Sequence, residues 1–279
     1  MTAHSFAGLE TWAVIGEEGI HERFPDSLKI MTQLSVNLNK VALLRNTRNN
    51  GIPSVIHAAR MCIDAGARGI TVHPRPDERH IRKTDVYELA EFLARFPEVE
   101  FNIEGNPFPE FLKIIRDVRP AQCTLVPDAP GALTSDHGWD IPADADRLRP
   151  ILAEIRQLGS RMSLFMDAES QEWKLVREIG ADRVELYTEP YAVAFGKPEF
   201  ETVLERFASA ARAAQLAGLG VNAGHDLNLK NVGRFCAIPG ILEVSIGHAL
   251  VAEALEMGIP ETVRAYLRIL EASGSSGLP

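Results

Sequence analysis

The stretch GITVHPRPDERHI, Gly69 to Ile81, gathers the side chains best suited to chemistry. His73 and His80 can move protons near neutral pH. Arg75 and Arg79 carry planar guanidinium groups that grip phosphate or carboxylate through paired hydrogen bonds. Just before them, β-branched Ile70, Thr71 and Val72 read as a short buried strand. Pro74 and Pro76 end its ladder, since neither has an N–H to donate. A solvated basic loop behind a core strand is the rival reading, because Arg and His are common on surfaces. The same pattern recurs along the chain, and that recurrence favours a site. Glu104 follows Phe101-Asn102-Ile103, where burial would raise a carboxyl toward a useful pKa unless it only pairs with an Arg. Glu185 alternates with Val184 and Leu186, and reads equally as an interior group or as the partner of a buried Arg. His225 follows Gly224, which allows a ligand close to the backbone. His248 follows Gly247 and opens a helix.

These residues need elements to hold them. Short apolar runs alternate with amphipathic stretches of helical period from Leu34 onward. The strands expected are Leu34–Leu38, Gly69–His73, Glu100–Glu104, Gln122–Pro127, Met162–Asp167, Arg183–Thr188, Leu219–Gly224 and Glu243–Gly247. Helices are expected near Pro53–Ala65, Asp85–Arg95, Pro109–Val118, Ala145–Leu158, Ser170–Ile179, Phe200–Ala217, Asn228–Ala237 and Ala249–Met257. A last helix, Pro260–Ala272, starts with Pro where a missing donor costs nothing. This is the pattern of an α/β protein, a (β/α)₈ TIM barrel with extra helices. An open doubly wound sheet usually carries a Gly-rich fingerprint after its first strand, and Asn37-Leu38-Asn39-Lys40 offers none. Residues 1–33 read as an N-terminal extension covering a barrel end or a neighbouring subunit. Residues 34–272 are the barrel, and 273–279 a Gly/Ser-rich disordered tail.

A barrel carries its site at the C-terminal ends of its strands. Those ends read Asn37, Asn39 and Lys40; His73 and Arg75; Glu104; Asp167; Thr188; Asn222, Gly224 and His225; Gly247 and His248. The opposite ends, Leu34, Gly69, Met162 and Leu219, are apolar or Gly. The loops after strands seven and eight often bind phosphate through helix N-terminal amides, so Gly224–Asp226 and Gly247–His248 are the phosphate candidates. Turns that only cap a helix are the alternative. Lys40 and Arg45 either grip an anion or pair with surface acids. His4, His21 and His57 read as structural or solvated. Thr134-Ser135-Asp136-His137-Gly138-Trp139-Asp140 reads as a lid or rim, or as part of an oligomer interface. Metal-dependent barrels often place His-x-His at the first strand. Asn37-Leu38-Asn39 stands there instead, so no metal is expected.

Composition sets outer bounds. The chain has 279 residues, a net charge of -9 and 46% hydrophobic residues, enough for one large buried core. An acidic protein is a poor general nucleic-acid binder, yet a local Arg/His cluster can still hold a small anion. The three cysteines, Cys62, Cys123 and Cys236, are scattered and odd in number, which favours a reducing cytoplasm. No apolar run approaches the ~20 residues of a membrane span, and no signal-peptide pattern opens the chain.

One family fits the whole set. Val36-Asn37, Leu44-Arg45-Asn46 with Arg48, Gly69–His73 with Arg75 and Arg79-His80-Ile81, Asn102-Ile103-Glu104, Leu125-Val126-Pro127, Ser163-Leu164-Phe165, Val221–His225 and Ile246-Gly247-His248 together resemble pyridoxine 5'-phosphate synthase. The resemblance runs from about Leu34 to the last helix. It implies a transferase of vitamin B6 biosynthesis, a (β/α)₈ barrel assembled as a homo-octamer and needing no metal or cofactor. Such an enzyme condenses 1-deoxy-D-xylulose 5-phosphate with 3-amino-1-hydroxyacetone phosphate to pyridoxine 5'-phosphate, phosphate and water. By resemblance His73 and Glu104 are general bases, His225 is a proton donor and Glu185 stabilises the transition state. Arg75, His80 and Thr134, with the Asn39-Lys40 pair, match contacts to the sugar phosphate. Asn37, Arg48, Asp226, Gly247 and His248 match contacts to the amino-ketone phosphate.

Two positions depart from the family. Asn39-Lys40 stands where many members have Asp-His, which replaces a titrating imidazole with a fixed cation. Asp226 stands where many have Gly in a phosphate loop, so its side chain should point away and leave only the backbone N–H in use. Two other classes remain open. One is another phosphate-handling barrel of aldolase or epimerase type, and the other a non-catalytic binder of a vitamin B6 phosphate.

Overall fold

Strand residues of this chain alternate between apolar and polar, and that alternation gives the molecule two insides. In the structure, a computed structural model describing residues 31–129, 131–132 and 134–275, eight parallel strands close into a barrel in sequence order. The first half runs β1 (Gln33–Asn37), α1 (Asn39–Asn46), α2 (Val55–Asp64), β2 (Gly69–Val72), α3 (Lys83–Leu93), β3 (Glu100–Gly105), α4 (Pro109–Val118), β4 (Gln122–Leu125) and α5 (Ile141–Gln157). The second half runs β5 (Arg161–Met166), α6 (Trp173–Glu178), β6 (Arg183–Tyr187), α7 (Glu189–Ala194), α8 (Phe200–Leu216), β7 (Gly220–Gly224), α9 (Val232–Cys236), β8 (Ile241–Ile246), α10 (His248–Met257) and α11 (Ile259–Ser275). Pairing of Leu34 with Val244 and of Val36 with Ile246 closes the ring.

One strand face packs on the helices. Leu34, Val36, Ile70, Val72, Ile103, Leu125, Leu164, Leu186, Val221 and Val244 are buried in one apolar cluster with helix residues such as Val86, Ile115, Leu152, Phe207 and Leu250. The alternate residues line the bore, and they are polar: Ser35, Thr71, Asn102, Gln122, Thr124, Ser163, Glu185, Asn222, Glu243 and Ser245 are all buried. Ser35 and Thr71 hydroxyls meet at 2.7 Å, and Thr124 Oγ1 donates to Asn102 Oδ1 at 3.1 Å. Gln122 Nε2 donates to Glu243 Oε1 at 3.3 Å. That bond joins β4 to β8, which are not neighbours in the sheet, so it crosses the bore.

The N-terminal end of the bore corrects the expected asymmetry. Leu34, Gly69, Met162 and Leu219 are apolar or Gly, but charged residues fill the space between the strands. Glu100 pairs with Arg161, Arg161 Nε donates to Gln122 Oε1 at 3.0 Å, and Arg183 Nη1 donates to Asn222 Oδ1 at 3.1 Å. Polarity therefore runs through the barrel, where branched apolar layers are the common filling.

Boundaries shift by a few residues where caps decide them. α5 begins at Ile141, not Ala145, because the Asp140 carboxylate accepts from Ala143 N–H and Pro142 needs no partner there. Two short helices, α1 and α7, were not expected. The final helix continues to Ser275, past the Ser273 at which a tail was expected. Residues 1–30 of the expected extension and 276–279 of the tail lie outside the described residues.

Candidate active site

His73 stands one residue past β2 and is buried. Its backbone N–H donates to Asn39 Oδ1 at 2.9 Å, and Asn39 N–H donates to Asn37 Oδ1 at 2.9 Å. Two side-chain amides thus staple the end of β1 to the end of β2. His80 is buried beside His73, with ring centroids 6.2 Å apart. Its Nδ1 accepts from Ile81 N–H at 2.9 Å, which leaves the proton of the neutral ring on Nε2. Burial lowers the His73 pKa well below its ordinary value, with Arg75, His80, His225 and Arg79 adding to the effect. Burial and then Arg75 and Lys40 bring His80 down to about 4. Both imidazoles are therefore neutral at pH 7, and His80 presents an Nε2–H donor because Ile81 N–H already occupies its Nδ1.

The loop carrying them is clamped from α1. Arg45 pairs with Asp85 of α3 and donates to His80 O at 3.2 Å, while Asn46 Nδ2 donates to the same oxygen at 2.8 Å. Arg45 accordingly serves neither of its expected roles. Its partner is a buried acid, and it supports the site without lining it.

Arg75 is 5% exposed, and its guanidinium pairs with Asp128 and donates to Ala132 O at 2.8 Å. Arg79 donates to the same carbonyl at 2.9 Å. Ser135 Oγ donates to Asp128 Oδ2 at 2.8 Å. The connection from β4 to α5 is thus drawn onto the β2 loop. Its far end is anchored by Trp139, whose Nε1 donates to Leu125 O at 2.8 Å and whose N–H donates to Phe165 O at 3.0 Å. Thr134 is exposed on this rim. Asp167, half-buried past β5, accepts from the Gly138 backbone and so anchors the same loop.

Carboxyls occupy the centre. Glu104 on β3 is buried, and Asn102 Nδ2 donates to it at 3.4 Å. Burial raises its pKa to about 8; Asp128 and Glu243 push the same way, and Arg75 and Ser245 oppose. Glu185 on β6 is raised well above the carboxylate range by burial, then by Glu104 and Glu243. Among the described residues no Arg or Lys pairs with Glu185, so its reading as an Arg partner does not hold. Gly224 makes room for it, since a Cβ there would collide with Glu185 Oε1. Burial raises both carboxyls and Glu104 raises Glu185 further, so the two keep protons at neutral pH.

His225 closes the group from β7. It and Asp226 both adopt left-handed backbone, φ 85° and 57°, costly for residues with a Cβ. Thr188 Oγ1, within bonding distance of Gly224 O at 2.7 Å and His225 O at 2.5 Å, holds the turn. Phe165 and Tyr187 flank the His225 ring at 5.4 Å and 5.3 Å. Burial lowers its pKa, while Asp226 and Asp128 favour the charged form.

Of the residues expected at a site, His73, Arg75, His80, Glu104, Glu185 and His225 converge at one mouth, with Lys40 near enough to act on both His80 and His225. Asn37 lies against Gly247, where a Cβ would stand 3.0 Å from that of Asn37. Arg48, Thr134, Asp226 and His248 are exposed at the periphery, and among the described residues their side chains form no hydrogen bond or ion pair with the central groups, although the Asp226 charge acts on His225. Asp128 belongs to the site and was missed, while Glu243 acts on Glu104 and Glu185 from deeper in the bore, where it pairs with Arg183 at 3.4 Å. The signal for Asp128 was available in Leu125-Val126-Pro127-Asp128, an acid just past a strand end. A narrow cleft opens beside the mouth, lined by His73, Arg75, Lys83, Asn106, Phe111 and Asp128. Among the described residues no group of three or more His, Cys, Asp or Glu is arranged to hold a metal, and no helix is long and apolar enough to cross a membrane.

Fold and mouth define a (β/α)₈ barrel protein with acid/base groups and a buried Arg at the C-terminal ends of its strands. Residues 34–272 match the family described as "Pyridoxal phosphate biosynthesis protein PdxJ", and the chain belongs to that family. It is 57% identical over 251 residues to a pyridoxine 5'-phosphate synthase of Albidiferax ferrireducens, covering 88% of this chain and 99% of the relative. It is 55% identical over 250 residues to the protein of that name from Xanthomonas oryzae pv. oryzae, covering 87% and 98%. Among solved structures, one described as "Native KDPGal structure" superposes with a TM-score of 0.57 at 11% identity, over 87% of this chain and 96% of the other. That likeness concerns the fold alone.

Proposed function

We propose that this chain is a pyridoxine 5'-phosphate synthase, joining 1-deoxy-D-xylulose 5-phosphate to 3-amino-1-hydroxyacetone phosphate with loss of phosphate and water. The observation that carries the reading is the mouth itself: two proton-holding carboxyls, Glu104 and Glu185, face neutral imidazoles and the buried Arg75. Schiff-base formation, phosphate elimination and aldol-type ring closure each move protons, and an enclosed set of acids and bases suits them. His73 starts as a base because it is neutral. Glu104 exchanges its proton near working pH. His225 donates only after it has accepted a proton, which the nearby Asp226 and Asp128 charges favour. Glu185 stabilises charge that develops in the bore.

Arg75, His80, Thr134, Asn39 and Lys40 serve the sugar phosphate, and Asn37, Arg48, Asp226, Gly247 and His248 the amino-ketone phosphate. Lys40 supplies a permanent cation where an imidazole is usual. The reading extends to one catalytic domain over residues 34–272, a homo-octamer, a cytoplasmic location and no nucleic-acid partner, supported by the family likeness and the acidic composition. The test is incubation with both phosphates and mass detection of pyridoxine 5'-phosphate. Turnover of one sugar phosphate without the amine would instead indicate an aldolase or epimerase. Binding without any product would indicate a carrier of a vitamin B6 phosphate.

A further inference from the structure

Asp128 is 4% exposed and lies at the centre of the loop contacts, yet only one of its carboxylate oxygens is used. Oδ2 takes both the Arg75 guanidinium and the Ser135 hydroxyl, while its backbone oxygen accepts from Asn106 Nδ2 at 3.2 Å. Oδ1 is buried and has no hydrogen-bond partner among the described residues. A buried carboxylate oxygen without a donor is costly. The residue lines the cleft next to His73 and Arg75, and its charge acts on Glu104 and His225 across the mouth. A donor arriving between those groups would satisfy it.

The chemistry of the remaining groups narrows the donor. Arg75, Arg79 and Lys40 stand on this side of the mouth against Asp128 and Asp77, which leaves one cation in excess and suits phosphate. Glu104 and Glu185 hold protons at neutral pH and are poor partners for a cation. Lys83, across the cleft, is exposed and forms no ion pair with Asp128. Asp128 is thus the acid with an oxygen to offer a positively charged N–H group.

Building on the function proposed above, we propose that Asp128 is the residue that recognises the amine of the amino-ketone phosphate, its Oδ1 accepting a hydrogen bond from the substrate ammonium. Asp128 then makes two contacts at once: Oδ2 holds Arg75 in place for a phosphate, and Oδ1 selects the partner that carries nitrogen.

Calorimetric titration at pH 7 compares 3-amino-1-hydroxyacetone phosphate with dihydroxyacetone phosphate, which has a hydroxyl in place of the ammonium. The wild type should bind the amine tighter by on the order of tenfold to a hundredfold, the range of a charge-assisted hydrogen bond. Asp128→Asn should collapse this ratio toward one. The ratio cancels any change that the variant makes to phosphate binding through Arg75. A ratio unchanged in a folded variant, with both affinities shifted alike, overturns the proposal and leaves Asp128 as a positioning residue for Arg75. Equal affinities in the wild type overturn it without any variant, so a poorly folding Asp128→Asn does not shelter it. Failure of the wild type to bind either phosphate overturns the functional reading as well, whereas product formation together with an unchanged ratio removes this inference alone.

Discussion

A carboxyl that keeps its proton at neutral pH changes stability and reactivity together. Glu104 has its pKa raised to about 8 in the folded chain, so the folded state binds a proton that the unfolded state has released above its ordinary pKa. The stability this contributes is present in full at low pH and lost as pH rises toward 8. His80, lowered to about 4, works in the opposite sense. Its contribution is full above the ordinary His value of about 6.5 and is lost as pH falls toward 4. We expect thermal stability to peak between these limbs, with Glu104→Gln flattening the alkaline limb and His80→Gln the acid one, measured by melting temperature across pH 4–9. On the same Glu104→Gln preparation, turnover should fall by roughly 10²–10⁴ if proton transfer limits the rate, while ligand binding survives. Loss of stability with normal turnover per folded molecule would make Glu104 structural. Arg75→Ala should weaken phosphate binding by roughly 1.5–3 kcal/mol, read by titration on folded protein.

At the scale of elements, the site depends on helix residues that stand behind its lining. Helix α1 carries Arg45 and Asn46, which hold the carbonyl of His80, and α3 supplies Asp85. Asp85→Ala would leave the Arg45 charge buried without its carboxylate. A loss of about 3–5 kcal/mol is expected in denaturant titration, with weaker sugar-phosphate binding because the His80 loop loosens. This part was hidden in the sequence. Asn39–Asn46 has little amphipathic contrast, and Arg45 reads the same whether its partner is a substrate or an acid forty residues away. The strands were legible because each carries a β-branched or apolar alternation that one helix layer must cover. Strand ends were legible for the same reason, and His73, Glu104 and His225 followed from them. The place of Asp128 just past a strand end was equally legible, but its pairing with Arg75, like that of Glu243 with Arg183, is set only by closure of the ring.

Across the whole molecule, adhesion and chemistry occupy opposite faces of the same strands. The outer face holds the barrel to its helices, so Ile103→Ala should cost about 2–5 kcal/mol. Thr124→Val replaces a hydroxyl in the bore and leaves Asn102 Oδ1 short of a donor, for about 1–3 kcal/mol. Both are measurable by equilibrium unfolding of the same protein. The polar bore also explains why the expected contrast between barrel ends was misleading. Leu34 and Met162 face the helices, and strand-end identity does not report which way a neighbour points.

The contact between Gly224 and Glu185 carries a historical consequence. With Glu185 in place, Ala at position 224 must displace a buried carboxyl whose oxygen the new carbon would overlap. With Glu185→Ala made first, that obstacle is gone. The two changes should therefore be order-dependent: Gly224→Ala strongly destabilising in the parent and far milder in the Glu185→Ala background, a coupling that a double-mutant cycle measures directly. Lineages that retain the acid can change the glycine only by shifting that carboxyl, while a lineage that discards the acid is free to fill the gap. Refilling it shuts the way back, because the lost carboxyl no longer has a space to return to.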